Sequence, residues 1–216
     1  MKRLLSVLLI LLMVLTLASC SKKGGPFDSF DIPGKDEVAP YKLSEKEKEL
    51  LKVFGIDING NAQVFSLRTP KGTKAVEVYA YVLRDDLSWE SIDGIAVFSD
   101  DKVPIDSQEG LLSMLLREDY TIDFCFTLGN GDVTFKSNEI EDYAGHKASY
   151  KAYLPASQEI EFDKEIPVAI LVYDSGTSMR SYAPGQYFTP SDFEGMDLVQ
   201  AVTLKFSDKE FTPPAQ

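Results

Sequence analysis

Short segments in which every second residue is apolar constrain the fold of this chain more than any other feature of its sequence. In residues 75–83 the apolar positions on one face are Val76, Val78, Ala80 and Val82. Side chains of a strand point alternately to its two faces, so a period of two indicates a strand with one buried face. The same alternation returns at residues 120–128 and 147–154. The chain is therefore predicted to consist mainly of strands.

Turn residues divide the chain into about nine predicted strands, at residues 63–68, 75–83, 92–98, 120–128, 133–135, 147–154, 160–162, 168–173 and 199–206. Residues 168–173 are nearly all apolar, which is typical of a central strand covered on both faces. No regular alternation of strands and helices appears. These features predict a mainly β chain, a two-layer antiparallel β-sandwich with two short helices. The alternative is an α+β fold, with both helices on one face of a sheet.

Two segments have the signals of short helices. Ser44 and Glu47 have the spacing of a capping box, and Gly55 suits the end of the helix. Leu50, Leu51 and Phe54 are expected to pack this helix on the domain. The second helix is predicted at 106–117, with Asp106 as the cap, Glu109 three residues later, and a core side formed by Leu111, Leu112, Leu115 and Leu116.

The first twenty residues have the composition of a secretory signal. Lys2 and Arg3 precede an apolar run that ends in Leu17-Ala18-Ser19-Cys20. The run is shorter than the roughly 20 apolar residues of a membrane-spanning helix. Its ending resembles the lipobox of bacterial lipoproteins. The resemblance implies cleavage before Cys20, acylation of the Cys20 thiol, and a lipid anchor that holds the mature chain on the extracytoplasmic face of a cell membrane.

Three regions follow from this leader. Residues 1–19 are the predicted signal peptide, 20–42 the lipid-bearing cysteine with a flexible tether rich in Gly and Pro, and 43–216 a single β-rich extracytoplasmic domain. Ser21 after the cysteine would permit sorting to the outer membrane where the host has one. With Cys20 acylated, Cys125 is the one remaining cysteine, so no internal disulfide is predicted.

The charge of the chain excludes several partners. Its net charge is −12, and loss of Lys2 and Arg3 leaves 20 basic against 34 acidic residues, a net −14. Such a chain repels phosphate backbones, so we expect no nucleic acid, and no basic patch for anionic lipid.

The sequence offers no complete metal site. His146 is the one histidine, and a zinc site needs several His or Cys ligands. The calcium-like series Asp57, Asn59 and Asn61 has its Gly misplaced and Arg68 where the bidentate Glu belongs. We expect neither metal nor cofactor.

The segment Asp174-Ser175-Gly176-Thr177 follows an apolar strand. It resembles the active-site signature of aspartic proteases, in which two such Asp residues activate a water. The resemblance implies a catalytic role for Asp174, but one copy is present and Arg180 stands where the family has an apolar residue. A strand that ends in a turn explains the same residues. We therefore predict no enzyme, with an envelope hydrolase as the alternative.

The predicted ligand-binding surface is the loop at 175–189, because tyrosine and arginine among small residues are typical of recognition surfaces. Its candidate residues are Arg180, Tyr182, Tyr187 and Phe188. A second candidate is the outward face of residues 75–83, with Tyr79 and Tyr81 near Trp89. The sequence thus predicts a binding or accessory module for an extracytoplasmic protein or glycan. A structural subunit of a membrane-bound assembly is the third possibility.

Overall fold

The computed structural model describes residue 27 and residues 29–56, 60–98, 106–140, 145–176 and 179–210. The chain divides into two compact units, residues 1–30 and 31–216. Every helix and strand below belongs to the second unit. The predicted lipobox with Cys20, most of the calcium-like series and Thr177 of the protease-like motif lie outside the described residues.

The described residues form eleven strands, one α-helix and two 3₁₀ helices. In chain order they are β1 (Glu37–Pro40), α1 (Glu45–Val53), β2 (Ala62–Arg68), β3 (Ala75–Leu83), β4 (Trp89–Phe98), β5 (Glu109–Leu116), β6 (Ile122–Leu128), β7 (Gly131–Lys136), β8 (Ala148–Tyr153), β9 (Gln158–Glu159), β10 (Glu165–Asp174), the two 3₁₀ helices (Pro184–Phe188 and Pro190–Phe193) and β11 (Leu198–Ser207).

The strands form two antiparallel sheets. The six-stranded sheet has the order β7-β6-β5-β2-β1-β9, and the five-stranded sheet has the order β4-β3-β11-β10-β8. Apolar side chains of both sheets join in one core cluster, as in a sandwich. The predicted mainly β, two-layer fold is therefore confirmed. The alternation in β3 has the predicted phase, because Val76, Val78, Ala80 and Val82 are all buried.

Strand β10 is central, as its apolar run predicts. It pairs with β11 on one side and β8 on the other, and its eight residues from Ile166 to Tyr173 are all buried. Leu171 and Tyr173 belong to the core between the sheets, whereas Ile170 and Val172 belong to a separate cluster on the outer face. Both faces of this strand are thus covered.

The outer cluster, here called the second core, lies between the five-stranded sheet and residues 179–196. Its buried members are Ile170, Val172, Tyr182, Tyr187, Phe193, Val199 and Ala201. The covering segment, here called the strap, contains both 3₁₀ helices. It supplies the apolar side chains that β10 and β11 need on the face turned away from the sandwich.

The predicted helix at 106–117 is wrong, because this segment contains strand β5. Gly110, Leu112, Met114 and Leu116 are buried while the residues between them are partly exposed, which is the period of a strand. Strand β5 lies between β2 and β6 in the six-stranded sheet. Pairing on both sides and burial of one face outweigh the helix-like spacing of the leucines.

The first predicted helix is confirmed, with its cap. The Ser44 hydroxyl accepts from the Glu47 backbone N–H at 3.4 Å, and the Ser44 backbone N–H donates to the Glu47 carboxylate at 2.6 Å. Its predicted packing is wrong for Leu50 and Phe54, whereas Leu51 is partly buried. Leu50 and Phe54 are 58% and 72% exposed, and no residue of α1 is buried.

The predicted tether at 20–42 also requires a correction at its C-terminal end. Strand β1 lies inside this range and pairs with β2 and β9. Val38 is fully buried in the core between the sheets. A strand of four residues has too little sequence for a visible alternation, so its pairing partners determine it.

Candidate functional site

The structure brings the two predicted ligand-binding surfaces together, but as packed interior. Tyr182 and Tyr187 are only 5% and 8% exposed and belong to the second core. The Tyr81 ring lies 5.8 Å from the Tyr187 ring, and Tyr79 lies 5.8 Å from Tyr81. The strap therefore covers the sheet face on which Tyr79 and Tyr81 lie. Arg180 and Phe188 remain exposed, and Phe188 has an exposed fraction of 63%.

Carboxylates hold the hydroxyl groups of this tyrosine cluster. Tyr79 donates to Glu77 at 2.7 Å, and Tyr81 donates to Glu165 at 2.9 Å. Burial, and then the Glu77 hydrogen bond, raises the pKa of Tyr79 to about 12. Burial and Glu165 raise the pKa of Tyr81 and of Tyr187 in the same direction. These phenols stay protonated near neutral pH and act as structural donors.

The carboxylate of Asp174 takes part in a surface turn. Its Oδ2 accepts from the Gly176 backbone N–H at 3.0 Å, and Asp197 accepts from the Ser175 backbone N–H. Hydrogen bonds from Ser175, and then Asp174, lower the pKa of Asp197. The arrangement matches an Asx-type turn at the end of β10.

Few side chains in the described part of the chain are placed for metal binding or for thiol chemistry. No group of three or more His, Cys, Asp or Glu side chains there is placed to hold a metal ion. His146 is exposed, and its Nδ1 lies 2.8 Å from the Tyr120 hydroxyl. Cys125 is a free, half-buried thiol on the outward face of β6.

A cleft of about 500 Å³ opens on the outer face of the six-stranded sheet. Leu51 and Ile56 form one wall, and Val64, Leu115 and Cys125 of three neighbouring strands contribute to the rest. The polar side chains of the lining are few, and they are Gln63, Ser113, Asp123, Thr134 and Lys136. A volume of about 300–1,000 Å³ with mostly apolar walls is typical of a ligand-binding site.

The end of α1 positions the wall of this cleft. Gly55 has φ +74°, a left-handed conformation that glycine adopts without strain. The backbone N–H groups of Gly55 and Ile56 donate to the carbonyls of Lys52 and Leu51, both at 3.0 Å. This is a Schellman motif, in which the residue after the glycine returns toward the last helical turn. It brings Ile56 beside Leu51 at the cleft.

The same helix carries an apolar ridge, defined as Leu50, Val53 and Phe54. Their exposed fractions are 58%, 81% and 72%. Positions 50, 53 and 54 share one side of a helix because three or four residues complete a turn. In a chain of net charge −12, three neighbouring exposed apolar side chains form an unusual surface, and such patches mark interaction sites.

Charges at the rim of the cleft are paired with each other. Arg117 forms an ion pair with Asp123, and Lys136 lies 3.3 Å from Asp119. Hydrogen bonding by the Thr121 hydroxyl, and then by other neighbours, lowers the pKa of Asp119 and keeps that carboxylate ionised. These charged side chains are thus neutralised in pairs beside a mostly apolar lining.

Comparison with family models, curated proteins and solved structures finds no match for this chain. Among the described residues, no helix has both the length and the apolar content to cross a bilayer. The proposed function therefore rests on the geometry and the sequence of this chain.

The sequence did not predict the cleft. Val64 and Leu115 look ordinary in the sequence, and only the register of β2 against β5 and β6 places them beside Ser113 and Cys125. Two features of the sequence could have indicated the cleft. They are the apolar residues on one side of α1 and the glycine that ends the helix directly before Ile56.

Proposed function

We propose that this protein is a lipid-anchored cell-envelope binding module whose cleft holds an apolar segment of an extracytoplasmic partner protein. The observation that carries the proposal is the apolar cleft on the outer face of the six-stranded sheet, bordered by α1. The lipobox supplies the location. Two or three acyl chains on Cys20 anchor a chain stably, since each buried CH₂ contributes about 0.8 kcal/mol.

The chemistry of the walls favours a protein over a glycan at this site. Sugar hydroxyls lose free energy when they are buried without hydrogen-bond partners, and the cleft offers few. Apolar side chains of a partner would instead replace water against Leu51, Val64 and Leu115. The apolar ridge lies on the same helix as the cleft-lining Leu51 and offers a second apolar contact for a partner that reaches around α1.

The net negative charge of the chain indicates a second property of the partner. With 20 basic against 34 acidic residues after loss of the leader, a net −14, the mature chain attracts basic groups at long range and repels acidic ones. We therefore propose a partner segment with apolar side chains for the cleft and basic residues in its flanks. Such a complex would associate more slowly at high salt, while the apolar contacts would determine its lifetime.

A photo-crosslinking residue at Val53 in the native envelope tests the binding site. Val53 is the most exposed member of the apolar ridge, and the matched control is the same residue at Lys164, whose side chain is 66% exposed. We expect a partner that crosslinks from position 53 but not from 164, through a peptide that is apolar with basic flanks. Ser113→Trp, which fills the cleft, should abolish this crosslink.

Two results would contradict the proposal. Equal crosslinking from both positions, or a crosslink that Ser113→Trp leaves intact, would exclude the cleft and favour the structural-subunit alternative. Mass spectrometry of the native N-terminus tests the anchor separately. A mature chain that begins with an acylated Cys20 supports the anchor, whereas an unmodified Cys20 thiol contradicts it.

A further inference from the structure

A second cavity, here called the aromatic cavity, has a different chemistry from the cleft. Its volume is about 230 Å³. The polar and aromatic side chains of its lining are Asn61, Arg117, Glu118, Tyr120, His146 and Lys151, and Tyr173 also contributes. Aromatic rings with charged and amide groups fit a ligand that is polar at its edges and has an apolar face.

Three rings form the aromatic part of this cavity. The Tyr120 ring lies 4.9 Å from that of Tyr173 and 5.6 Å from that of His146, and His146 lies 4.9 Å from Tyr173. The Tyr120 hydroxyl lies 2.8 Å from Nδ1 of His146. Tyr173 is 1% exposed, so it forms a fixed base, while His146 stands at the solvent side.

The backbone at Tyr120 is strained, and the fold holds it in place. Its φ is +62°, a left-handed value that a bulky aromatic residue rarely adopts. Gln200, fully buried on β11, donates its side-chain amide to the Tyr120 carbonyl at 2.9 Å. The left-handed φ of Tyr120 belongs to the β5–β6 hairpin loop, in which the Tyr120 N–H donates to the Arg117 carbonyl at 3.1 Å. Leu87 has a similar φ, +63°, in the β3–β4 loop. The hairpin thus places Tyr120 at the cavity, which it lines.

The charges of the lining are unusual for this chain. Arg117 and Lys151 line the cavity together with the one histidine, whereas Glu118 is the one acidic residue of the lining. Asn61 accepts a hydrogen bond from the Lys151 ammonium, and Asp123 holds the Arg117 guanidinium. The Arg117 guanidinium is thus already paired with a carboxylate, whereas the Lys151 ammonium is oriented by a neutral amide oxygen before any ligand arrives, which lowers the cost of binding an anion beside Lys151.

We propose that the aromatic cavity binds a hydroxylated carboxylate of monosaccharide size, which is a sugar acid. Its carboxylate meets Lys151, its hydroxyls meet Glu118 and Asn61, and the C–H face of its ring lies against Tyr120 and His146. At about 230 Å³ the cavity is less than half the volume of the cleft, which suits a ligand of one ring. Its ligand is distinct from the protein partner of the cleft, although the Arg117–Asp123 ion pair borders both sites.

Proton NMR of the imidazole ring tests the proposal directly, because His146 is the one histidine of the chain and its signals need no assignment. The probe is glucuronate, with glucose and propionate as controls that lack the carboxylate and the hydroxyls. We expect glucuronate to shift the His146 signals in a saturable way at millimolar concentration, and both controls to bind at least about tenfold more weakly. Equal shifts with glucose, or no saturable shift with glucuronate, would overturn the proposal.

Matched variants locate the site. Lys151→Met on β8 keeps the apolar stem but removes the charge, and Lys164→Met does the same directly before β10, where the lysine pairs with Glu161. We expect Lys151→Met to weaken glucuronate binding about tenfold or more and Lys164→Met to leave it unchanged. Circular dichroism and thermal unfolding establish that each variant is folded. Equal affinities of the two folded variants would also overturn the proposal.

Discussion

The indole N–H of Trp89 donates to the backbone carbonyl of Tyr187 at 2.9 Å, and the two rings are stacked with their centroids 5.1 Å apart. Trp89 begins β4, and Tyr187 lies in the first 3₁₀ helix of the strap. This contact joins the strap to the edge of the five-stranded sheet. The segment that the sequence predicts as an open loop is therefore fixed over the sheet.

Trp89→Phe removes this hydrogen bond while it keeps an aromatic ring. We expect the free energy of unfolding to fall by about 1 kcal/mol, the usual contribution of one hydrogen bond, and amide exchange in the strap to accelerate. Urea unfolding followed by circular dichroism measures the change. Phe188→Ala is the control in the same strap, because Phe188 is mostly exposed and should change stability by less than about 0.5 kcal/mol. Similar costs for the two variants would contradict this role of Trp89.

Replacement of Gly110 distinguishes the strand β5 from the predicted helix by the sign of its effect. A Cβ atom at Gly110 would lie 2.7 Å from the Thr127 carbonyl oxygen and 3.0 Å from Leu128 Cδ1. Gly110→Ala should therefore destabilise the domain by about 1–3 kcal/mol. In a helix, the same change would stabilise by about 1 kcal/mol. Gly131→Ala, where the nearest atom is 3.7 Å away, is the control in urea unfolding and should have little effect.

The tyrosine cluster predicts a loss of stability at alkaline pH. The folded-state pKa of Tyr79 is about 12, against about 10 in the unfolded chain, and those of Tyr81 and Tyr187 are raised in the same direction. Above pH of about 10, the unfolded chain therefore loses these protons first. The stabilisation is fully present below that pH and is lost as pH rises toward 12 and beyond.

Urea unfolding at a series of alkaline pH values measures this loss. Tyr81→Phe removes one titrating group, so we expect a less steep decline of the free energy of unfolding than in the wild-type chain. The effect of burial without a carboxylate partner can be compared at Tyr153, because burial is the one cause that raises its pKa to about 12. An unchanged pH slope in Tyr81→Phe would show that the phenol of Tyr81 ionises alike in both states.

Gly55 links the end of α1 to the cleft. Gly55→Ala places a side chain at φ +74°, and we expect a cost of about 1 kcal/mol and a displaced Ile56. An apolar dye such as anilinonaphthalene sulfonate, bound in the cleft, should lose affinity in this variant. Gly185→Ala is the matched control, since its Cβ meets nothing within 4 Å and its φ is not left-handed. Unchanged dye affinity in Gly55→Ala would contradict the role of the Schellman motif.

The sequence predicts the strands whose pattern is local and unambiguous. In residues 75–83 every second residue from Val76 to Val82 is apolar, and Ser44 with Glu47 specifies the start of α1 through contacts three residues apart. The segment 106–117 fails for a physical reason. Leu111, Leu112, Leu115 and Leu116 fit the spacing of a helix, and only pairing with β2 and β6 selects the strand.

The ligand-binding prediction at Tyr182 and Tyr187 illustrates a different limit. Aromatic side chains among small residues suit a recognition surface and a covering segment equally well. The decisive information lies in β10, whose apolar outer face with Ile170 and Val172 requires a cover. The strap supplies it. The cleft and the aromatic cavity join residues far apart in the chain, so no local pattern predicts them.

Strand β10 forms a wall of both cores at once, since Leu171 faces the sandwich and Ile170 faces the strap. Detachment of the strap would leave Ile170, Val172 and Val199 in water, and burial of each such side chain contributes about 1.5–3 kcal/mol. A partly open domain without its strap is therefore scarcely populated. Residues 31–210 are expected to melt in a single transition, even though their apolar interior lies in two separate layers.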